Sequence, residues 1–112
     1  MPTILDGLKV LDLTEGMAGS LATMVLSDNG AEVVKIERPK GDPYRTTPAW
    51  IMWNRGKKSV VLDIHTKTDK DQIKKLAINS DVLIENFKPG IFDSLGLGYQ
   101  DLSKLNPSLI YC

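Results

Sequence analysis

Five short runs rich in Val, Ile and Leu punctuate this chain, and the stretches between them are long enough to cross a sheet. They fall at residues 9–14 (KVLDLT), 31–37 (AEVVKIE), 59–64 (SVVLDI), 81–87 (DVLIENF) and 109–111 (LIY). Short apolar runs closed by Gly, Pro or Asn read as buried strands. Between the first two, Met17, Leu21, Met24 and Val25 recur at helical spacing, and Asn29-Gly30 is a good helix stop. A strand, a helix of about twelve residues and a second strand make a parallel βαβ unit. The expected class is α/β, with a Rossmann-like parallel sheet and flanking helices.

The remaining segments fit that plan. Residues 39–53 read as a long loop, broken by Pro39, Gly41, Pro43 and Pro48 and carrying Tyr44, Trp50 and Trp53. A loop this long is often functional or packed against another subunit. Thr66 and Asp69 resemble a capping box, with Asp in the usual place of Glu or Gln. The helix behind them is expected to bury Ile73, Leu76 and Ala77 and to show Lys70, Lys74 and Lys75 to water. Pro89-Gly90 makes a turn. Residues 91–95 and 99–105 read as short helices separated by Gly96 and Gly98. At 112 residues the chain is the size of one domain. Its last apolar run has no polar tail, so residues 1–112 read as the N-terminal part of a longer protein.

Charge narrows the function. The chain balances 14 Lys and Arg against 14 Asp and Glu. Residues 35–58 nevertheless hold seven bases (Lys35, Arg38, Lys40, Arg45, Arg55, Lys57, Lys58) and only two acids, Glu37 and Asp42. One basic segment in a neutral chain suggests a site for a small polyanion. Overall neutrality argues against a broad nucleic-acid or membrane footprint. Cys112 is the single cysteine, so no internal disulfide exists. No signal peptide or membrane span is visible. The expected location is cytoplasmic or an organelle matrix.

Several groups are candidates for a site, each with a plainer alternative. Gly16 and Gly19 follow the first strand, where a glycine turn lets backbone approach an anionic ligand or simply makes a tight turn. They do not complete the G-x-G-x-x-G dinucleotide fingerprint, which disfavours an NAD-dependent enzyme. Glu37 ends the second strand where an acid can hold a ribose, and Arg38 beside it can meet a phosphate. The two could equally form a surface ion pair. Arg55, Lys57 and Lys58 form either a phosphate site or a solvated turn. Asn86 and Phe87 close the fourth strand and offer an amide and a flat apolar face, or else a helix cap and a core residue. His65 is the only histidine, and no cysteine cluster accompanies it, so no metal site is expected.

Taken together, these blocks resemble the start of the class III CoA-transferases, the group of formyl-CoA and carnitine CoA-transferases and α-methylacyl-CoA racemase. The matching segments are LDGLKVLDLT (5–14), AGSLATM (18–24), GAEVVKIERP (30–39), GDPYR (41–45), NRGKKSVVLD (54–63), DVLIENFKPG (81–90), LGLGY (95–99) and LNPSLIYC (105–112). They occur in family order over nearly the whole chain. The resemblance implies a coenzyme A-binding domain within a longer, interlocked homodimer that acts on acyl-CoA and carboxylic acid substrates. It implies that Arg38 meets the adenosine-phosphate end of CoA, that Leu62, Asn86 and Phe87 line the site, and that the loop around Gly16 faces the pantetheine or acyl region. The chain departs from the family at Ser20, His65 and Ser94, where proline, lysine and arginine are common. Lys57, Lys58 or Lys88 could then supply the missing cations. The transferase nucleophile, an aspartate, and the His/Asp pair of the racemase branch would both lie beyond Cys112. A racemase or epimerase of the same fold and a non-catalytic nucleotide-binding module are the alternatives.

Overall fold

The computed structural model describes residues 1–112. Ten elements follow one another: β1 (Lys9–Leu13), α1 (Met17–Asp28), β2 (Glu32–Glu37), α2 (Pro48–Trp53), β3 (Lys58–Val61), α3 (Lys67–Ile78), β4 (Val82–Glu85), α4 (Ile91–Ser94), α5 (Tyr99–Leu105) and β5 (Ile110–Tyr111). The strands form one sheet in the order β3-β2-β1-β4-β5, and every pairing is parallel. The chain builds outward from β1 to β3, then crosses to the other side of β1 to place β4. The sheet therefore reverses direction between β1 and β4, the place where open α/β sheets present a crevice at their carboxyl ends.

The two faces of the sheet are chemically different. Leu11, Leu13, Ile36 and Leu83 point to one side, where Ile73 and Ala77 of α3 and Leu102 of α5 complete the main core. Burying a Leu or Ile side chain contributes roughly 1.5–3 kcal/mol, so this side supplies most of the apolar stabilisation. The buried apolar residues of the opposite face form a small cluster towards its amino-terminal end, Val10, Ala31 and Val33, with Val82 and Ile84 packed against it. Further along, the alternation of the strands places Asp12, Thr14, Lys35 and Glu37 on that face, all buried.

This polar half explains how α1 lies. The helix forms where expected and stops at Asn29, ahead of Gly30 with φ of 103°. Its buried residues, however, are Gly19, Ser20 and Thr23. The Met17/Leu21/Met24/Val25 stripe is not the face it buries, and Met17 and Val25 are more than half exposed. A helix resting on Asp12 and Thr14 needs small hydrogen-bonding residues there, not methionines. Approach is closest at Gly19, where a Cβ would come within 2.3 Å of the Thr14 Cβ.

Three other sequence expectations change. Residues 39–53 are not all loop, because Pro48–Trp53 forms α2 with Thr47 as N-cap and Pro48 in its first turn. Proline is favoured there because its missing N–H would have no helical partner. The capping box is half formed. Thr66 accepts from the Asp69 N–H, but the Asp69 carboxylate turns back to the Asp63 N–H at 2.8 Å. Leu76 is only partly buried, and so are Lys70 and Lys74. The C-terminal end of α3 is closed by a residue far along the chain. Asn106 donates to the carbonyls of Ala77 (3.0 Å) and Ser80 (2.8 Å), satisfying groups that a helix end leaves open.

Candidate functional site

A cleft of about 330 Å³ opens over the carboxyl ends of β1, β2 and β3. Leu13, Ile36, Leu62, Ile64 and Phe87 supply its apolar lining, and Glu15, Arg38, Lys40, Asp63 and His65 its ionisable groups. Parallel register explains the convergence. Leu13 pairs with Glu85 and Glu37 with Val61, so residues just past each strand end meet at one level.

Arg38 stands at the edge of this cleft with its side chain half exposed. Its Nε donates to the Gly41 carbonyl at 3.1 Å, and the Glu15 carboxylate lies 3.2 Å from the same nitrogen. The two terminal guanidinium nitrogens have no protein acceptor. A planar fork held at one end and open at the other suits a phosphate or carboxylate. Lys40, beside it, forms no ion pair within the chain.

The other cations of residues 35–58 are engaged within the protein, so the segment is not the open basic patch its composition suggests. The Lys57 side chain is only 2% exposed, and its ammonium donates to Asp12 Oδ2 (3.1 Å), the Ser20 carbonyl (3.0 Å) and Asn54 Oδ1 (2.8 Å). Burial holds the Lys57 pKa below the ordinary lysine value, against the opposing pull of Asp12. Asp12 also accepts from the Thr14 N–H (2.9 Å), the Thr14 hydroxyl (2.6 Å) and the Thr23 hydroxyl (2.6 Å). Lys35 is 2% exposed, donates to the Thr14 carbonyl at 2.9 Å and lies 3.7 Å from Asp42. Arg55 pairs with Asp28 and Lys58 with Glu32.

Glu37 forms no surface ion pair with Arg38, and its carboxylate is already engaged within the protein. It is 3% exposed and accepts from Arg45 Nε (3.0 Å) and the Ser59 hydroxyl (2.8 Å). Burial alone would raise its pKa. The hydrogen bonds from Arg45 and Ser59 outweigh that cost and hold the carboxyl below its ordinary value. Arg45 also stacks 4.4 Å over the Trp50 ring, joining α2 to the end of β2. Through Lys35–Asp42 and Glu37–Arg45, the loop that carries Arg38 and Lys40 is tied to the sheet at two points.

The sequence candidates thus separate. Arg38, Leu62 and Phe87 line the cleft. Phe87 is also packed on the main core and lies 5.0 Å from the Phe92 ring. Asn86 is exposed and is not among the cleft residues: its amide donates to the Glu15 carbonyl (2.7 Å) and accepts from the Glu15 N–H (3.0 Å). It does not cap the next helix, which begins after Gly90. Gly16 has φ of 81°, and a Cβ there would stand 3.2 Å from the Tyr44 ring. Lys88 is exposed and is not among the cleft residues. Glu15, Lys40, Asp63 and His65 complete the lining. Their signal in the sequence was position alone, within four residues of a strand's carboxyl end. No cluster of His, Cys, Asp and Glu suited to a metal ion is present. No helix is long and apolar enough to cross a membrane.

A parallel sheet with this strand order and a cleft at its carboxyl edge defines an α/β fold of the nucleotide-binding type. The sequence places it more narrowly: residues 5–112 match the model of CoA-transferase family III, and the chain belongs to that family. It is 45% identical to the probable fatty acyl-CoA transferase Rv3272 of Mycobacterium tuberculosis, over 96% of this chain and 30% of that protein. It is 43% identical to human succinyl-CoA:glutarate CoA-transferase, over 96% of this chain and 27% of that protein. The crystal structure of a CAIB/BAIF family protein from Brucella suis superposes with a TM-score of 0.95 at 41% identity, covering 100% of this chain and 33% of that one. The chain therefore spans about 30% of the length of the curated relatives it matches.

Proposed function

We propose that residues 1–112 hold the phosphorylated adenosine end of coenzyme A for an enzyme that moves CoA between carboxylic acids. The observation that carries this reading is the Arg38 guanidinium, anchored at Nε and open at both terminal nitrogens beside the apolar floor of Leu62, Ile64 and Phe87. An adenine ring needs a flat apolar surface and a 3′-phosphate needs a cation, and the cleft offers the two side by side. The relatives named as CoA-transferases support the same substrate class.

Group transfer itself would need residues outside this chain. In the family an aspartate carboxylate attacks the acyl-CoA carbonyl, and the CoA thiolate leaves, giving an acyl-aspartyl anhydride. The returning thiolate then forms a CoA thioester on the aspartate and releases the first acid. The acceptor carboxylate takes the place of that acid in the reverse sequence. No aspartate of residues 1–112 is assigned to this step. Asp12 is sealed in the Lys57 network, and Asp63 accepts from the His65 N–H at 2.9 Å.

Calorimetric titration of the chain with CoA and NAD at low and high salt tests the reading. The expected result is saturable binding of CoA that weakens with salt and exceeds binding of NAD. Equal affinity for both would move the reading to a general nucleotide-binding module.

A further inference from the structure

We propose that Glu15 is an internal counter-ion on Arg38 that an anionic ligand must displace, and that it thereby sets the affinity and charge selectivity of the cleft. The inference rests on the CoA reading above.

The Glu15 main chain is fixed. Its N–H and its carbonyl are both bonded to the Asn86 side chain, which ties the turn after β1 to the residues just past β4. The carboxylate is not fixed. It makes no hydrogen bond within the chain, and its one close partner is Arg38 Nε at 3.2 Å, across a half-exposed contact. A backbone held in place thus presents a swinging acid beside the one open guanidinium of the cleft.

The charge balance of the lining gives that acid its effect. Glu15 and Asp63 offset Arg38 and Lys40, so the acidic and the Lys/Arg side chains of the cleft cancel in formal charge. A phosphate entering such a site gains from Arg38 and Lys40 only after the Glu15 carboxylate turns away toward water. Removing the Glu15 charge leaves an excess of one cation and an Arg38 with no competing anion. A ligand that places no phosphate at Arg38 has no need to displace the acid, so Glu15 bears mainly on ligands phosphorylated at that position.

The test compares Glu15→Gln and Glu15→Ala with Glu15→Asp, titrating each chain with CoA and with dephospho-CoA at low and high salt. Loss of the charge is expected to tighten CoA binding by about threefold to tenfold, the factor carried by roughly 0.7–1.4 kcal/mol. The gain should be smaller for dephospho-CoA and smaller at high salt. E15D keeps the charge and should stay near wild type. Arg38→Ala in parallel separates the two claims. If R38A weakens CoA binding while E15Q and E15A leave it unchanged or weaken it, the counter-ion role is wrong and the CoA reading stands. If neither wild type nor E15Q binds CoA saturably, the CoA reading falls and the role of Glu15 falls with it.

Discussion

Lys57 reaches back 45 residues to Asp12 and closes a buried ion pair at 3.1 Å beneath the turn that leads into α1. All three of its ammonium protons have acceptors, one each on Asp12, Ser20 and Asn54. A buried pair is worth little against an apolar replacement of both partners, but breaking it leaves an isolated charge. Lys57→Met is therefore expected to destabilise the chain by about 3 kcal/mol, toward the low end because Lys35 remains 3.9 Å from Asp12. The double substitution Asp12→Asn with Lys57→Met should cost less than the two single costs added together. Urea denaturation of the three variants checks this, and strict additivity would show that the two side chains do not interact.

Glu37 and Arg45 give the fold an acid limb. The Glu37 carboxyl is held below its ordinary value of 4.5, so the folded state binds that proton less readily than the unfolded chain. The resulting stability is present above about pH 4.5 and is lost as pH falls through the lower folded value. In Arg45→Ala, burial acts on Glu37 with one fewer opposing partner. The acid limb should then begin at higher pH, as read from thermal midpoints between pH 3 and 7. An unchanged limb would mean that other carboxylates govern acid unfolding.

Gly19 separates two effects that usually oppose each other. Alanine is favoured over glycine inside a helix by about 1 kcal/mol. At this position, however, a Cβ would meet the Thr14 side chain at 2.3 Å, and Thr14 is bonded to Asp12. Gly19→Ala should destabilise by about 1–3 kcal/mol, the cost typical of overpacking. A stabilising effect in chemical denaturation would show that α1 can lift away from β1 freely.

Asn86 should behave as a clamp. Asn86→Ala removes both hydrogen bonds to the Glu15 backbone and is expected to cost about 1–3 kcal/mol. Asn86→Asp keeps an acceptor for the Glu15 N–H but sets a carboxylate oxygen against the Glu15 carbonyl, so it should not rescue stability. Amide exchange at Glu15 reports the release of the loop directly. Wild-type protection of that amide in Asn86→Ala would contradict the clamp.

The architecture was legible because the five strands are short, apolar and separated by strong breakers such as Asn29-Gly30 and Pro89-Gly90. The family was legible because eight motifs kept their order. What misled was the assumption that a buried face must be apolar. Asp12, Lys35 and Lys57 look like surface residues by composition, yet each finds its partner on another strand, turn or loop. The same pairing dissolved the apparent basic patch, leaving Arg38 and Lys40 at the cleft. No local pattern announces an ion pair between residues 12 and 57. Only the parallel register brings them together. The turn of Asn86 toward Glu15 escaped for the same reason, since its partner lies 71 residues away.

The central claim is that Arg38 receives the 3′-phosphate of CoA, and the most direct measurement is the ratio of CoA to dephospho-CoA affinity in wild type and in Arg38→Ala. The account expects wild type to prefer CoA and R38A to lose most of that preference, with dephospho-CoA affinity changed far less. Equal losses for both ligands, or a preference that survives the substitution, would contradict it.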